Sequence, residues 1–357
     1  MAAYLNRVST AVPPTDVHAA FIGFAGLLLE GRRSLPLFER LTKRSQIEHR
    51  WSVLSLAAAE APPGAEPVDA AAFYSLGAFP STAARMAVYD RFAPDLAERA
   101  VRGLGLGEGL ADITHVIVTT CTGLSAPGID LQLVERLGLN PSVERTVIGF
   151  MGCYAAINAM KMARHLVRSE PTARVLIVSL ELCTLHLQET DDLEQVLSFL
   201  IFGDGCAAAL VSADPVGFSL DRFHAVLLPE AKSQITWGVG DQGFDMVLSG
   251  RVPASVGAAI RAGKDAILGN EAIEDIDHWA IHPGGSAVLD AAEAALSLPE
   301  EALGPSREVL RRYGNMSSAT ILFVLDRIMA EAGPGERGCA MAFGPGLTAE
   351  TMMFTAA

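Results

Sequence analysis

Three polar side chains, far apart along the chain, have the types that acyl transfer needs: Cys153, His282 and Asn315. A cysteine attacks as its thiolate, and a neighbouring imidazole can take the thiol proton and leave an ion pair. A carboxamide is a neutral donor suited to a developing oxyanion. Each residue also has a plain structural reading: a buried inert thiol, a strand-end histidine, a helix N-cap. Local sequence bears on the choice. Cys153 follows the β-prone Arg145-Thr-Val-Ile-Gly149 and a glycine-containing turn, and precedes a run of helix formers from Ala155 to Leu166. It therefore sits at a helix start, where unpaired N–H groups and the helix dipole favour a thiolate. In that helix Ile157, Met160 and Met162 are read on or near the inward face. His282 follows the apolar Trp279-Ala-Ile and precedes Pro283-Gly-Gly, a strand-end loop of the kind where α/β sheets gather ligands. Asn315, in Gly-Asn-Met-Ser-Ser, opens an apolar helix.

The elements that must bring these residues together repeat. Residues 1–60 read as an N-terminal segment plus helices, with a soluble helix over 19–29. Pro62-Pro63-Gly64 and Pro67 mark a loop, one helix starts at Ser81 and another at Pro94. Strands follow at 112–119 and 174–179, with a helix started by Pro127 between the first strand and Cys153. Later come strands at 275–281 and 337–343. His115 lies 38 residues before Cys153, and His278 lies 37 before Asn315. Arg174 lies 21 residues after Cys153, and Arg337 lies 22 after Asn315. This matched register predicts a duplicated α/β unit, with halves at 1–213 and 214–357 and parallel strands between helical layers. Cys153 and Asn315 then occupy equivalent helix starts and can face one pocket. Residues 183–203 have no counterpart in the second half, and an insertion of that kind marks a surface or binding feature. Phe202-Gly-Asp-Gly reads as a turn into the next strand.

Composition narrows the function. The chain has 357 residues, half of them hydrophobic, so a large core is assured. A net charge of −14 argues against nucleic-acid binding, and no apolar run reaches the roughly eighteen residues of a membrane span. Five scattered cysteines without a C-x-x-C exclude a zinc ribbon and suit a reducing cytoplasm. Arg32, Arg33, Arg40, Lys43, Arg44 and Arg50 fall within nineteen residues, either as a solvated helix face or as a seat for a phosphate-bearing ligand. No metal, flavin or nicotinamide motif is present, Gly203-Asp-Gly being too short to count.

Five motifs occur in an order that resembles the type III polyketide synthases, the chalcone synthase-like branch of the thiolase superfamily. They are Gly152-Cys153, Leu200-Ile-Phe-Gly-Asp-Gly205, Trp279-Ala-Ile-His-Pro-Gly-Gly285, Tyr313-Gly-Asn-Met-Ser-Ser318 and Phe343-Gly-Pro-Gly-Leu-Thr348. The resemblance implies a thiolase-like fold of five layers, αβαβα, and a homodimer. It implies that Cys153 takes a starter from an acyl-CoA, with no further cofactor. His282 and Asn315 would hold the malonyl-CoA carbonyl and the enolate formed as carbon dioxide leaves. Phe202 matches the family's gate phenylalanine, and Arg40 and Arg44 match positions that bind coenzyme A phosphates.

The resemblance also implies a pocket lined by Cys121, Thr122, His186, Met246, Ser317, Phe343, Gly344 and Pro345. Met246 stands where a gate aromatic is frequent, His186 replaces a small polar residue, and Ala342 replaces a common glycine. A flexible methionine widens such a passage and points to a fatty acyl starter with a pyrone or resorcinol-type product. Two other readings compete: a ketoacyl synthase III-like single condensation with an acyl carrier protein, and a noncatalytic acyl-CoA-binding homologue.

Overall fold

The computed structural model describes residues 2–56, 66–269 and 271–357. The loop expected at Pro62-Pro63-Gly64 lies outside them. The chain begins with β1 (Tyr4–Ala11), β2 (Thr15–Asp16), α1 (His18–Leu28), α2 (Leu35–Arg44), β3 (Trp51–Ser52) and α3 (Ala70–Phe73). The first half continues through α4 (Thr82–Gly103), β4 (His115–Thr120), α5 (Ile129–Leu137), β5 (Glu144–Gly149) and α6 (Ala155–Ser169). It ends with β6 (Val175–Leu182), α7 (Leu193–Ile201) and β7 (Asp204–Ser212). The second half runs β8 (Phe218–Leu227), β9 (Ile235–Gly240), β10 (Gly243–Leu248), α8 (Val252–Leu268), β11 (His278–Ile281) and α9 (Ser286–Leu296). It closes with α10 (Gly304–Tyr313), α11 (Thr320–Glu331), β12 (Arg337–Gly344) and β13 (Thr348–Ala356).

Strand order shows the duplication directly. One half reads β5-β4-β6-β7-β1 and the other β11-β12-β13-β8. Parallel strands at the outer side, β5, β4 and β6 in one half and β11 and β12 in the other, give way in both to two antiparallel neighbours. β1 pairs with β8 at Tyr4↔Ser219 and Leu5↔Phe218, so the two sheets are hydrogen-bonded into one of nine strands. Among the described residues β5 has no counterpart in the second half, where α10 takes that interval.

Side-chain alternation along the strands sorts the core into layers. Ile117, Val175, Ile177, Ala207 and Ala209 face α6 and α11, as do Ala340 and Ala342 from the other half. Their neighbours Val116, Val118, Leu176 and Val178 face α4 and α5 instead. Cys339, Met341 and Phe343 face α8 and α9. The order is helix, sheet, helix, sheet, helix, with α6 and α11 buried in the middle.

Several local expectations are corrected. The segment read as an N-terminal lead-in holds β1, the strand that joins the halves. Pro94 does not start a helix. It lies inside the 22-residue α4, whose buried face includes Val88, Phe92, Leu96, Ala100 and Val101. Burial of those side chains at roughly 1.5–3 kcal/mol each outweighs about 3 kcal/mol for an interior proline. Pro127 follows a cis peptide bond, and α5 begins two residues later at Ile129 behind an extended Gly128. Met162 is 36% exposed, whereas Ile157 and Met160 are fully buried. The insertion forms a 3₁₀ turn, Cys183–His186, and α7, which packs on α1 and α2 through Val196, Leu200, Ala25, Leu29 and Phe38.

Candidate active site

Cys153 is positioned by an interlock of two glycines. β5 ends at Gly149, and a 3₁₀ turn, Gly152–Tyr154, leads into α6. Gly152 has φ +70, and a Cβ there would lie 2.4 Å from Pro345 Cδ. From the opposite side, a Cβ on Gly344 would meet the Tyr154 ring at 2.8 Å and the Cys153 nitrogen at 3.3 Å. Only backbone this bare lets the end of β12 press against the nucleophile turn.

Asn315 arrives from the other half. Its N–H donates to Ile201 O at 2.7 Å and its carbonyl accepts from Gly203 N at 3.0 Å, which ties it to the turn carrying Phe202. Asn315 Oδ1 accepts from Ser317 N at 2.8 Å and from Thr320 Oγ1 at 3.4 Å. Fixing the oxygen this way leaves Nδ2 as the donating end of the amide. Cys153 Sγ lies 4.0 Å from Asn315 Oδ1 and 3.8 Å from Ser317 Oγ. The matched helix starts do converge.

His282 follows β11 and hydrogen-bonds through its N–H to Met341 O at 2.8 Å. It is buried, and neither ring nitrogen has a hydrogen-bond partner. Burial alone pushes its imidazole down to about 3. Cys153 is partly exposed to its cavity yet remote from bulk water, and burial pushes its thiol up to about 12, against hydrogen bonding from Ser317 and Asn315. The helix-start position therefore does not by itself yield a thiolate. Loss of hydration outweighs the dipole in this resting arrangement.

A cavity of about 40 Å³ surrounds the sulfur. Of the residues expected there, Cys153, Cys121, Thr122, Phe202, Met246, Ser317 and Pro345 line it, joined by Cys183, Phe199, Ile235, Thr236 and Trp237. The β9–β10 hairpin supplies Trp237 opposite Met246, and Trp237 Nε1 donates to Cys121 O at 2.7 Å. His282 and Asn315 stand outside this lining, although Asn315 reaches the sulfur.

His186, Phe343 and Gly344 do not line the cavity. Both nitrogens of His186 are engaged, with Thr122 O at 2.8 Å and with Phe244 N at 3.0 Å, and its ring stacks on Phe244 at 4.2 Å. It is a buried strut that joins the Thr122 loop to β10. Phe343 occupies an odd-numbered position of β12 and so faces α8 and α9, away from Cys153. Gly344 meets the site only as the backbone behind Cys153.

A buried carboxylate, Glu181, was not singled out from the sequence. It accepts from Cys121 N at 3.0 Å, Thr122 Oγ1 at 2.8 Å and Ser318 Oγ at 2.5 Å, and the Cys121 thiol donates to both oxygens at 3.4 Å. Burial raises its pKa even against these donors. Cys121 in turn lies 3.3 Å from Ser317 Oγ, so Glu181 orders the floor below Cys153. The available signal was one acid inside the Val175–Leu182 strand, whose other residues are apolar apart from Ser179.

The basic cluster divides. Arg40, Lys43 and Arg44 are exposed on α2, and Arg44 O accepts from Ser286 Oγ at 3.2 Å, docking the helix beside the loop after His282. Arg32 pairs with Asp191. Arg50, expected with the others, is buried instead. Its Nη1 donates to Phe199 O at 2.8 Å and Phe202 O at 2.7 Å, and its Nε to His18 Nδ1 at 2.9 Å. Arg50→Ala leaves two buried carbonyls without donors at the turn that holds Phe202 and Asn315. An expected loss of about 3 kcal/mol in stability would appear as a lower urea midpoint; an unchanged midpoint contradicts the clamp.

Among the described residues no cluster of His, Cys, Asp and Glu could hold a metal ion, and no helix is long and apolar enough to cross a membrane.

Comparison with known proteins places this geometry. Family models for the N-terminal and C-terminal domains of chalcone and stilbene synthases match residues 34–215 and 220–357. The chain is 36% identical over 274 residues to an alpha-pyrone synthesis polyketide synthase-like protein of Mycobacterium tuberculosis, spanning 73% of this chain and 69% of that one. It is 36% identical over 300 residues to bisdemethoxycurcumin synthase of Oryza sativa subsp. japonica, spanning 78% and 74%. The crystal structure of 1,3,6,8-tetrahydroxynaphthalene synthase from Streptomyces coelicolor A3(2) is similar with a TM-score of 0.85, at 30% identity over 99% of each chain. The C-terminal type III polyketide synthase domain of Steely1 from Dictyostelium gives a TM-score of 0.89 at 25% identity, over 100% and 99%. With both domain models matched across most of its length, the chain belongs to the chalcone and stilbene synthases, the type III polyketide synthases, and has their thiolase-like fold.

Proposed function

We propose that this polyketide synthase loads a fatty acyl group from its coenzyme A thioester onto Cys153, extends it with malonyl-CoA, and releases a pyrone or resorcinol-type product. The observation that carries the reading is the meeting of Cys153 and Asn315 from opposite halves at 4.0 Å, with a buried, unpartnered His282 at the neighbouring strand end. Arg40 and Arg44 give α2 two cations for coenzyme A phosphates, and the docking of α2 on Ser286 puts that end next to the His282 loop.

Loading transfers the thiol proton to His282. The sulfur then attacks the thioester carbonyl, and coenzyme A leaves as its thiol after taking the proton back. In extension the malonyl carboxylate is lost as carbon dioxide, and its electron pair forms an enolate. His282 and Asn315 Nδ2 hold the enolate oxygen as neutral donors. A neutral imidazole suits this task, and burial keeps it neutral at physiological pH. The enolate carbon attacks the acyl-Cys153 carbonyl, forming a carbon–carbon bond and freeing the sulfur. Phe202 and Met246 wall the place where this happens. The name of the mycobacterial relative assigns it alpha-pyrone synthesis, which supports the pyrone outcome.

Mass analysis of products from malonyl-CoA and a panel of aromatic and aliphatic starter thioesters tests the reading. Multiply extended, cyclised products from aliphatic starters are expected. Turnover of aromatic or malonyl starters only would reject the fatty acyl assignment.

A further inference from the structure

From Val17 to Leu29 the only ionisable group is His18, which is buried and bound to Arg50. A helix this apolar on every side is normally enclosed by protein, yet α1 keeps an exposed side. Ala25 and Leu29 seat it on α7, while Ala19, Gly23 and Leu27, spaced four apart, form an exposed stripe. Leu27 is 58% exposed. Ala20 and Phe24, the next residues round the helix, share the rim of a depression with Leu56 and Leu76, which are 44% and 55% exposed. Single exposed leucines are ordinary on a protein surface; a continuous apolar face marks a contact.

Cations follow directly. Residues 30–44 carry five of them against two acids, in a chain of net charge −14. α2 packs on the same α7 through Phe38, so its outer side and that of α1 point away from the body together. Arg32 is paired with Asp191, but Arg33 and Lys43 are exposed and have no acidic partner among the described residues. We propose that α1 and the cations after it dock this synthase on an anionic lipid bilayer, with α1 lying in the headgroup layer and not crossing it. A polyanion in solution would engage the cations alone. An anionic bilayer uses both features, with headgroups on Arg33 and Lys43 and acyl chains against the Leu27 stripe. Docking needs no substrate and is independent of the starter assignment.

The test measures co-sedimentation of the full chain, without substrate, with vesicles of phosphatidylcholine alone and of phosphatidylcholine mixed with phosphatidylglycerol. Wild type should partition onto the mixed vesicles, and high salt should release it only in part, because the apolar contact is not screened. Leu27→Gln should weaken partition about tenfold at low and high salt alike. Arg33→Gln and Lys43→Gln in one protein should weaken it about twenty-five-fold at low salt only, at roughly fivefold for each charge. All three side chains are exposed, so acyl loading of Cys153 from an accepted thioester should match wild type and reports an intact fold. Wild type that stays in solution overturns the docking, as does partition that ignores Leu27→Gln in a protein that loads normally. A change of molar mass with Leu27→Gln, without vesicle binding by wild type, assigns the face to another copy of the chain and overturns it too. Refusal of aliphatic starters would reject the fatty acyl reading and leave the vesicle result standing.

Discussion

Cys153→Ala should abolish acyl-enzyme formation and reduce polyketide output by about a thousandfold or more, because no other group then forms the covalent intermediate. The readout is direct: wild-type protein incubated with an accepted acyl-CoA gains the acyl mass, and the variant does not. Four other thiols make the outcome informative. Cys121 lies beside the same Ser317 hydroxyl, 3.3 Å away, and Cys183 lines the same cavity. Burial and the nearby Glu181 carboxylate raise both thiol pKa values well above the ordinary range, so neither offers a thiolate near neutral pH. Cys153 differs in position, since it alone also contacts the Asn315 amide, and in exposure, since the other four thiols are buried. An adduct that persists in Cys153→Ala would transfer the nucleophile to one of its neighbours. The substitution fits the space, so the fold should be retained, and binding of free coenzyme A should survive.

Parts of this arrangement were legible because local chemistry and register agreed. The paired spacings around Cys153 and Asn315 reflect equivalent strands, β4 with β11 and β6 with β12, and strand starts are set by short apolar runs that stand out in sequence. What stayed hidden depended on partners distant in the chain. β1 carries polar Asn6 and Arg7 amid few apolar residues, and it is a strand because β7 and β8 flank it on both sides. Arg50 looked like one more surface cation of a basic stretch, yet two backbone carbonyls from residues 149 and 152 positions away hold it inside. His186 and Phe343 were placed by motif alignment alone. Pleat parity turns Phe343 to the outer layer, and two hydrogen bonds hold His186 beneath the cavity. Glu181 shows the reverse case, in which a charge inside an apolar strand was itself the clue.

His282→Gln separates the two tasks given to the imidazole. Glutamine keeps a neutral donor, so some stabilisation of the enolate remains, but it cannot accept the thiol proton. Extension should fall by about 10²–10⁴-fold. The sharper readout is alkylation of Cys153 by iodoacetamide across pH 6 to 9, in free enzyme whose other thiols are buried. In wild type neutral His282 takes the thiol proton as the sulfur attacks, a route that needs no prior ionisation of either group, so the rate should be nearly flat over this range. In the variant that route is gone, and the thiolate must form beforehand against the value that burial already sets in wild type, about 12. Its thiolate fraction then lies far below one and rises about tenfold for each pH unit, with no plateau by pH 9. The sign follows from the direction of the shift: a raised thiol pKa means reactivity lost as pH falls. A merely structural role for His282 would lower the variant's stability and overall rate without changing the slope of its profile from that of wild type. Parallel profiles would remove His282 from the loading step and leave Cys153 to be activated by the substrate complex itself.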